Sequence, residues 1–258
     1  MSFVLLIGIG ALRCVFSHVI QIDLEVLVPE REVGGNPLAV GSLDTKTPTQ
    51  TPEKGQKSGY LIAKRIFDIV CSLMGIVVLW IPMLIIALLI KLESPGPAFF
   101  IHYRIGKNGK PLPLYKYRSM YRNAEQMIED FTPEQKEEWY KNFKLDDDPR
   151  ITKIGHFLRR SSVDELPQLL NILKGELSIV GPRPVVQEEL ERYGSEQDKF
   201  LSVTPGLTGY WQAYARSTCS YEERIRMELH YVENANFWWD MKIIFATVGA
   251  VFTGRGAK

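Results

Sequence analysis

Adjacent carboxylates stand at Asp164-Glu165, five residues after Arg159, in a stretch reading Arg-Arg-Ser-Ser-Val-Asp-Glu-Leu-Pro-Gln (159–168). A carboxylate among cations is held in its ionised form, as a nucleophile must be, and can also hold a hard cation. Arg183 lies between Pro182 and Pro184. The two rings restrict the backbone on either side, so its guanidinium projects from a stiff loop suited to paired hydrogen bonds with phosphate. Lys116 and Arg118, two apart in an aromatic-rich stretch, would share one face of a strand. On pattern alone, Ser162-Val-Asp-Glu165 equally fits a capping box, in which the acids only complement a helix dipole.

Other chemistries find little support. The three cysteines, Cys14, Cys71 and Cys219, form no CxxC pair, and the four histidines form no HExxH. A disulfide scaffold or a Cys/His zinc site is not expected. The 258 residues carry 31 Lys plus Arg against 30 Asp plus Glu, a net charge of +1. That balance removes the simplest electrostatic case for nucleic-acid binding. It also hides a basic block: between 60 and 126 there are nine Lys/Arg and three acids. Such a block suits an anionic lipid surface or phosphate-bearing substrates.

The block surrounds the apolar run 69–90, IVCSLMGIVVLWIPMLIIALLI, 22 residues without a charge. As a helix it would be about 33 Å long, enough to cross a hydrocarbon core of about 30 Å. Pro82, near its middle, removes a backbone donor and kinks or breaks the helix. Lys64 and Arg65 precede the run, and Lys91 and further basic residues follow it. With both flanks basic, the positive-inside rule favours a re-entrant helix that bends at Ile81-Pro82 and returns to the cytoplasmic face. The alternative is an ordinary kinked span.

Around this anchor, residues 1–59 read as an N-terminal extension and flexible linker, 60–92 as the membrane helix and 93–258 as a cytoplasmic catalytic domain. The linker is rich in Gly, Pro, Thr and Ser. Strands over 98–105 and 112–119 flank an Asn108-Gly109 hairpin turn. Leu158, spaced from Ile151 and Ile154, predicts a short amphipathic helix bearing Arg159 and Arg160. A second apolar stripe, Leu166, Leu169, Leu170 and Leu173, ends at Gly175, a natural helix stop. Phe237-Trp-Trp239 and Ile243-Ile-Phe245 form either an interfacial or a core helix. The fold class expected is α+β, mostly helical.

Eight short motifs occur in order: Lys64-Arg-Ile-Phe-Asp68, Glu93-Ser-Pro-Gly-Pro97, Tyr103-Arg-Ile-Gly106, Tyr115-Lys-Tyr-Arg-Ser-Met120, Asp164-Glu-Leu-Pro-Gln168, Lys174-Gly-Glu-Leu-Ser178, Gly181-Pro-Arg-Pro184 and Pro205-Gly-Leu-Thr-Gly-Tyr-Trp-Gln212. From about Tyr60 to the C-terminus the chain thereby resembles the bacterial sugar transferases called monotopic phosphoglycosyl transferases. The resemblance implies an enzyme of the bacterial inner membrane with its catalytic domain facing the cytoplasm. It moves a hexose-1-phosphate from a UDP-sugar to polyprenyl (undecaprenyl) phosphate, releases UMP, and begins exopolysaccharide, capsule, O-antigen or glycoconjugate synthesis. It further implies a re-entrant helix broken at a proline, matched by Pro82, and a catalytic Asp-Glu pair, matched by Asp164 and Glu165. Asp164 would form a covalent aspartyl-phosphosugar, and Glu165 would hold Mg²⁺. Lys116, Arg118, Arg159, Arg183 and Arg216 become candidate phosphate contacts; before Arg216, Ala215 replaces the family's frequent glycine. The expected partners are a UDP-sugar, a polyprenyl phosphate and inner-membrane lipids, with a homo-oligomer left open and no nucleic acid. A non-catalytic membrane scaffold for polysaccharide assembly is the competing reading.

Overall fold

Helix α1, Ser58–Glu93, carries the apolar run. A computed structural model describes residues 58–142, 145, 147–215 and 219–252, all within one unit. The expected extension and linker, up to residue 57, and Arg216 lie outside the described residues. By length and composition α1 could cross a membrane, and only 17% of its most apolar window is buried. The helix is assigned without interruption through Pro82. Its buried residues, Asp68, Ser72, Ile76, Met83 and Ile90, recur at helical spacing and make one inward stripe. Ile66, Val70, Val77, Val78, Ile85 and Leu92 are among the exposed apolar residues of the opposite surface.

The inward stripe is fastened to the same unit on both sides of Pro82. Before it, Lys64 pairs with Asp240 at 2.8 Å, and Arg65 donates to the carbonyls of Ile172 (2.6 Å) and Leu173 (2.8 Å). Asp68 Oδ1 accepts the Ile179 N–H at 3.0 Å. The motif Lys64-Arg-x-x-Asp68 is thus spent on tertiary contacts. After Pro82, the Tyr117 hydroxyl donates to the Met83 carbonyl at 2.9 Å. Met83 and Ile90 pack with Ala98, Tyr117 and Leu158.

The apolar helix ends at a turn with Gly96 at φ +119°, where a Cβ would come within 2.5 Å of the Arg118 guanidinium. Only glycine admits both the dihedral and the approach. Strands β1, Phe99–Ile105, and β2, Pro111–Tyr117, form the expected antiparallel hairpin. Asn108 and Gly109 turn it with positive φ. Phe100 opposes Lys116, His102 opposes Leu114 and Arg104 opposes Leu112, so these six residues share one face.

Helix α2, Pro133–Asn142, follows, and then α3, Lys153–Ser161, the predicted amphipathic helix with Leu158 inward. Two groups cap α3. Thr152 Oγ1 accepts from Gly155 N, and Glu93 accepts the N–H groups of Lys153 (2.7 Å) and Ile154 (3.0 Å). Glu93 therefore joins the end of α1 to the positive end of α3. A 3₁₀ segment, Val163–Gln168, leads into α4, Leu169–Lys174, which stops at Gly175 with φ +83° as expected.

The remaining elements are β3 (Ser178–Val180), α5 (Gln187–Glu191), α6 (Gln197–Leu201), β4 (Gly206–Thr208), α7 (Tyr210–Tyr214), α8 (Tyr221–Asn234) and α9 (Phe237–Phe252). β3 pairs in parallel with β4. In α9 Ile243 is fully buried beside Tyr231 and Val180, as the core reading expects, whereas Trp238 and Phe245 are about three-quarters exposed. Among the described residues the fold is mostly helical with two small sheets.

Candidate active site

The acid pair sits on the 3₁₀ segment because α3 ends abruptly at Ser162, whose φ of 57° is left-handed. Its N–H closes back on the Arg159 carbonyl, and the chain turns so that the segment lies against β2. The capping-box reading is corrected here. Ser162 makes no side-chain cap, and the Glu165 carboxylate turns instead to Lys116. Asn171, fully buried one turn later, fixes β2 against this segment. It accepts from Tyr115 N at 3.1 Å and donates to the Pro113 carbonyl at 2.7 Å.

Lys116 Nζ lies 2.8 Å from Glu165 Oε1 and 3.9 Å from Asp164 Oδ2. One cation thus bridges both acids. Asp164 is the less exposed, its side chain 14% accessible against 29% for Glu165. Burial pushes the Asp164 carboxyl above its ordinary value of 3.8, Lys116 draws it back, Glu165 pushes it up, and Arg159 draws it down. The expected lowering by nearby cations is therefore reversed, because desolvation outweighs them. A reaction that needs ionised Asp164 loses rate as pH falls through this raised value. The acid limb of single-turnover product release should then lie above 3.8. Lys116→Met, which deletes the largest downward pull, should shift the limb to higher pH; an unmoved limb would detach Lys116 from the acid.

Arg159 lies beside the pair, holding Ser119 Oγ through Nε at 2.8 Å and feeling the Asp164 charge. Arg183 lies near the hairpin, where His102 and Arg104 feel its charge. Its neighbours Gly181, Pro182, Pro184 and Val185 are buried, whereas Arg183 itself is half-buried. Its guanidinium makes no hydrogen bond or ion pair among the described residues.

Arg118 is placed elsewhere than expected. It follows the last residue of β2 and turns away from Lys116. Its guanidinium donates to the carbonyls of Ser94 (2.7 Å) and Pro95 (2.8 Å) at the end of α1. These carbonyls have no intrahelical donor, and a buried cation satisfies them. Arg118→Met should cost about 2–3 kcal/mol of stability, the worth of charged hydrogen bonds in a buried setting. It would be read as a lower unfolding midpoint in detergent, with substrate KM less affected than by Arg183→Ala.

Two residues were missed by sequence reasoning. His102 and Arg104 share the Lys116 face of the hairpin. Burial, then the Arg104, Lys116 and Arg183 cations, hold the His102 pKa down at about 4, so the ring is neutral at pH 7. Arg104 pairs with Glu189 at 2.9 Å. A two-residue Asn-Gly turn would have set Lys116 opposite Ile101; the three-residue loop closed by Gly106 and Lys110 shifts the register by one and brings both to the Lys116 face.

Among the described residues no three His, Cys, Asp or Glu side chains converge on a metal position. Asp164 and Glu165 nevertheless supply two hard oxygen donors. Magnesium characteristically takes one or two carboxylates and completes its shell with water and substrate phosphate. The pair fits that pattern.

The model of the family "Bacterial sugar transferase" matches residues 59–254. An undecaprenyl-phosphate galactose phosphotransferase of Salmonella typhimurium is 44% identical over 75% of this chain and 41% of its own length. A UDP-galactose-lipid carrier transferase of Erwinia amylovora is 43% identical over the same shares. The exopolysaccharide production protein ExoY of Sinorhizobium fredii is 43% identical over 76% of this chain and 88% of its own. The match thus spans less than half of the first two relatives and most of the third. The chain belongs to the bacterial sugar transferase family.

Proposed function

We propose that the protein transfers a hexose-1-phosphate from a UDP-sugar to polyprenyl phosphate, in two steps through Asp164. In the first step an Asp164 carboxylate oxygen attacks the β-phosphorus. The bond from that phosphorus to the bridging oxygen breaks, and UMP leaves with the electron pair. In the second step an oxygen of the lipid phosphate attacks the same phosphorus, and the bond to Asp164 breaks. The products are a polyprenyl diphosphate sugar and the free carboxylate. One site thereby serves a soluble and a lipid substrate in turn.

The observation that carries this reading is the largely desolvated Asp164 beside Lys116 and Arg159, with the half-buried Arg183 near His102 and Arg104 of the same hairpin. Lys116 and Arg159 balance charge as phosphate approaches, and Arg183 grips it. Glu165, with Asp164, would hold Mg²⁺, whose charge would offset that of the diphosphate. Arg216 is retained as a further phosphate contact on the resemblance alone. Relatives named for galactose make UDP-galactose the first donor to assay.

The same reading puts α1 in the inner membrane as a re-entrant element bent at Pro82, with the catalytic unit in the cytoplasm. Two facts favour it. Both halves of α1 are fastened to the unit that holds the acid pair, by Arg65 and Asp68 before Pro82 and by the Met83 carbonyl after it. From Ile66 to Leu89 every exposed residue of α1 is apolar. In a straight span the Tyr117 contact to Met83 would sit about 21 Å along the apolar run, inside the hydrocarbon core.

Membranes containing the protein should release UMP from at least one UDP-sugar when undecaprenyl phosphate is supplied. Silence across a panel of donors would favour the scaffold. For topology, cysteines placed at Gly59 and Lys91, in a chain lacking Cys14, Cys71 and Cys219, should both react from the cytoplasmic side only. Labelling from opposite sides would restore the ordinary span.

A further inference from the structure

We propose that Glu228 is a positioning residue that aims Arg183, through the one backbone donor of the Pro-Arg-Pro loop. Between Pro182 and Pro184 the Arg183 N–H is the sole main-chain donor, because proline has none. That N–H goes to Glu228 Oε1 at 3.1 Å. The other anchors of the loop are backbone groups. Gly206 N–H donates to the Pro182 carbonyl at 2.9 Å, and Ile105 N–H donates to the Val185 carbonyl at 2.8 Å. Glu228 is the side-chain member of the clamp, bonded to the backbone of the residue whose charge reaches His102 and Arg104 on the hairpin.

Glu228 is itself held from three directions. It lies on α8, 2% exposed. The Tyr193 hydroxyl donates to its Oε2. Arg224 Nε lies 3.7 Å from Oε1, and the Arg224 guanidinium packs 4.6 Å above the Trp211 ring while pairing with Glu189 at 3.2 Å. Glu189 also takes Arg104 of the hairpin, so one chain of charges runs from the hairpin face to the loop. A carboxylate this deep is costly, and an apolar side chain would serve packing better. What the carboxylate supplies is an oriented acceptor for the Arg183 N–H, with Tyr193 fixing its rotamer. A guanidinium stands several bonds from its own backbone, so a small tilt of the peptide becomes a large displacement at its tip. The inference rests on Arg183 as a phosphate contact.

The test is a mutant cycle on UMP release, with KM and kcat measured against the UDP-sugar. Glu228→Ala should lower kcat/KM by about 10- to 100-fold, chiefly through KM, the size of effect expected when a binding group is misaimed. Glu228→Gln, whose amide oxygen still accepts the N–H, should recover all but about threefold. In an Arg183→Ala background, Glu228→Ala should add less than about twofold, because the two residues act as one. If the two losses multiply, or if Glu228→Ala alone matches wild type, the proposal is overturned. If Glu228→Ala lacks a cooperative unfolding transition, Tyr193→Phe carries the same cycle under the same criteria. Wild-type kinetics for Arg183→Ala would instead remove the phosphate-contact reading, and with it this inference.

Discussion

Asp164→Asn should abolish UMP release, lowering kcat by at least about 10³-fold, the scale on which enzymes lose activity when a nucleophile is deleted. Asparagine keeps the shape and a hydrogen-bonding oxygen but offers no carboxylate to form an acyl phosphate. The fold should survive. A carboxyl raised by burial is destabilising in its ionised form above its unfolded value, so removing its charge relieves a desolvation cost. Asp164→Asn should therefore unfold no earlier than wild type at neutral pH. Loss of turnover with retained stability separates chemistry from folding. The companion measurement is mass. Wild type incubated with UDP-sugar without the lipid should gain a hexose phosphate at Asp164 and release one UMP per chain. Normal turnover in Asp164→Asn would sink the two-step reaction. Glu165→Gln should be milder at saturating Mg²⁺ and worsen as Mg²⁺ is withdrawn, since Glu165 is assigned to the ion and not to the phosphorus.

Much of this was legible in the sequence because local rules dominate there. The hairpin follows from Asn108-Gly109, α3 from the spacing of Ile154 and Leu158 (Ile151 lies before it, bridged to Met120), and the stop at Gly175 from its need for positive φ. The acid pair and Lys116 stand out by residue type and spacing, and they meet. Other features were illegible because they depend on who the distant partner is. Arg118 looked like a twin of Lys116 by spacing. The strand ends between them, however, and the open carbonyls of α1 claim the guanidinium. Lys64 and Arg65 looked like a lipid-facing flank, but Asp240 and the end of α4 take them. The sign of the Asp164 shift was missed for a similar reason. Sequence shows neighbouring charges but not the dielectric around them, and burial decided the outcome. Glu228 carried no signal at all, sitting as one acid among several in the polar helix α8.

Gly206→Ala should be as damaging as any single methyl group in this protein. Gly206 lies in Pro205-Gly-Leu-Thr-Gly209, the segment that backs the Arg183 loop. A Cβ on Gly206 would overlap the Gly181 nitrogen and come within 2.6 Å of the Gly181 Cα. The obstruction is main chain on both sides, and Gly181 is equally hemmed, its own Cβ falling 2.6 Å from the Thr204 carbonyl oxygen. Neither strand can yield by a rotamer change, so the β3–β4 pairing must open. The expected cost is about 3 kcal/mol or more, the upper range for overpacking a site that cannot relax. Activity should fall further than stability alone accounts for. The displaced strand carries the Gly206 N–H that holds the Pro182 carbonyl, so Arg183 moves with it. Thermal unfolding in detergent would measure the first effect, and the KM for UDP-sugar at a temperature where the variant is folded would measure the second. Gly59→Ala supplies the contrast: a Cβ there meets nothing within 4 Å. It should leave stability unchanged or raise it by up to about 1 kcal/mol through helix propensity. Equal tolerance of alanine at Gly59 and Gly206 would mean that the loop is not built by close backbone approach, and the rigid aim of Arg183 would lose its foundation.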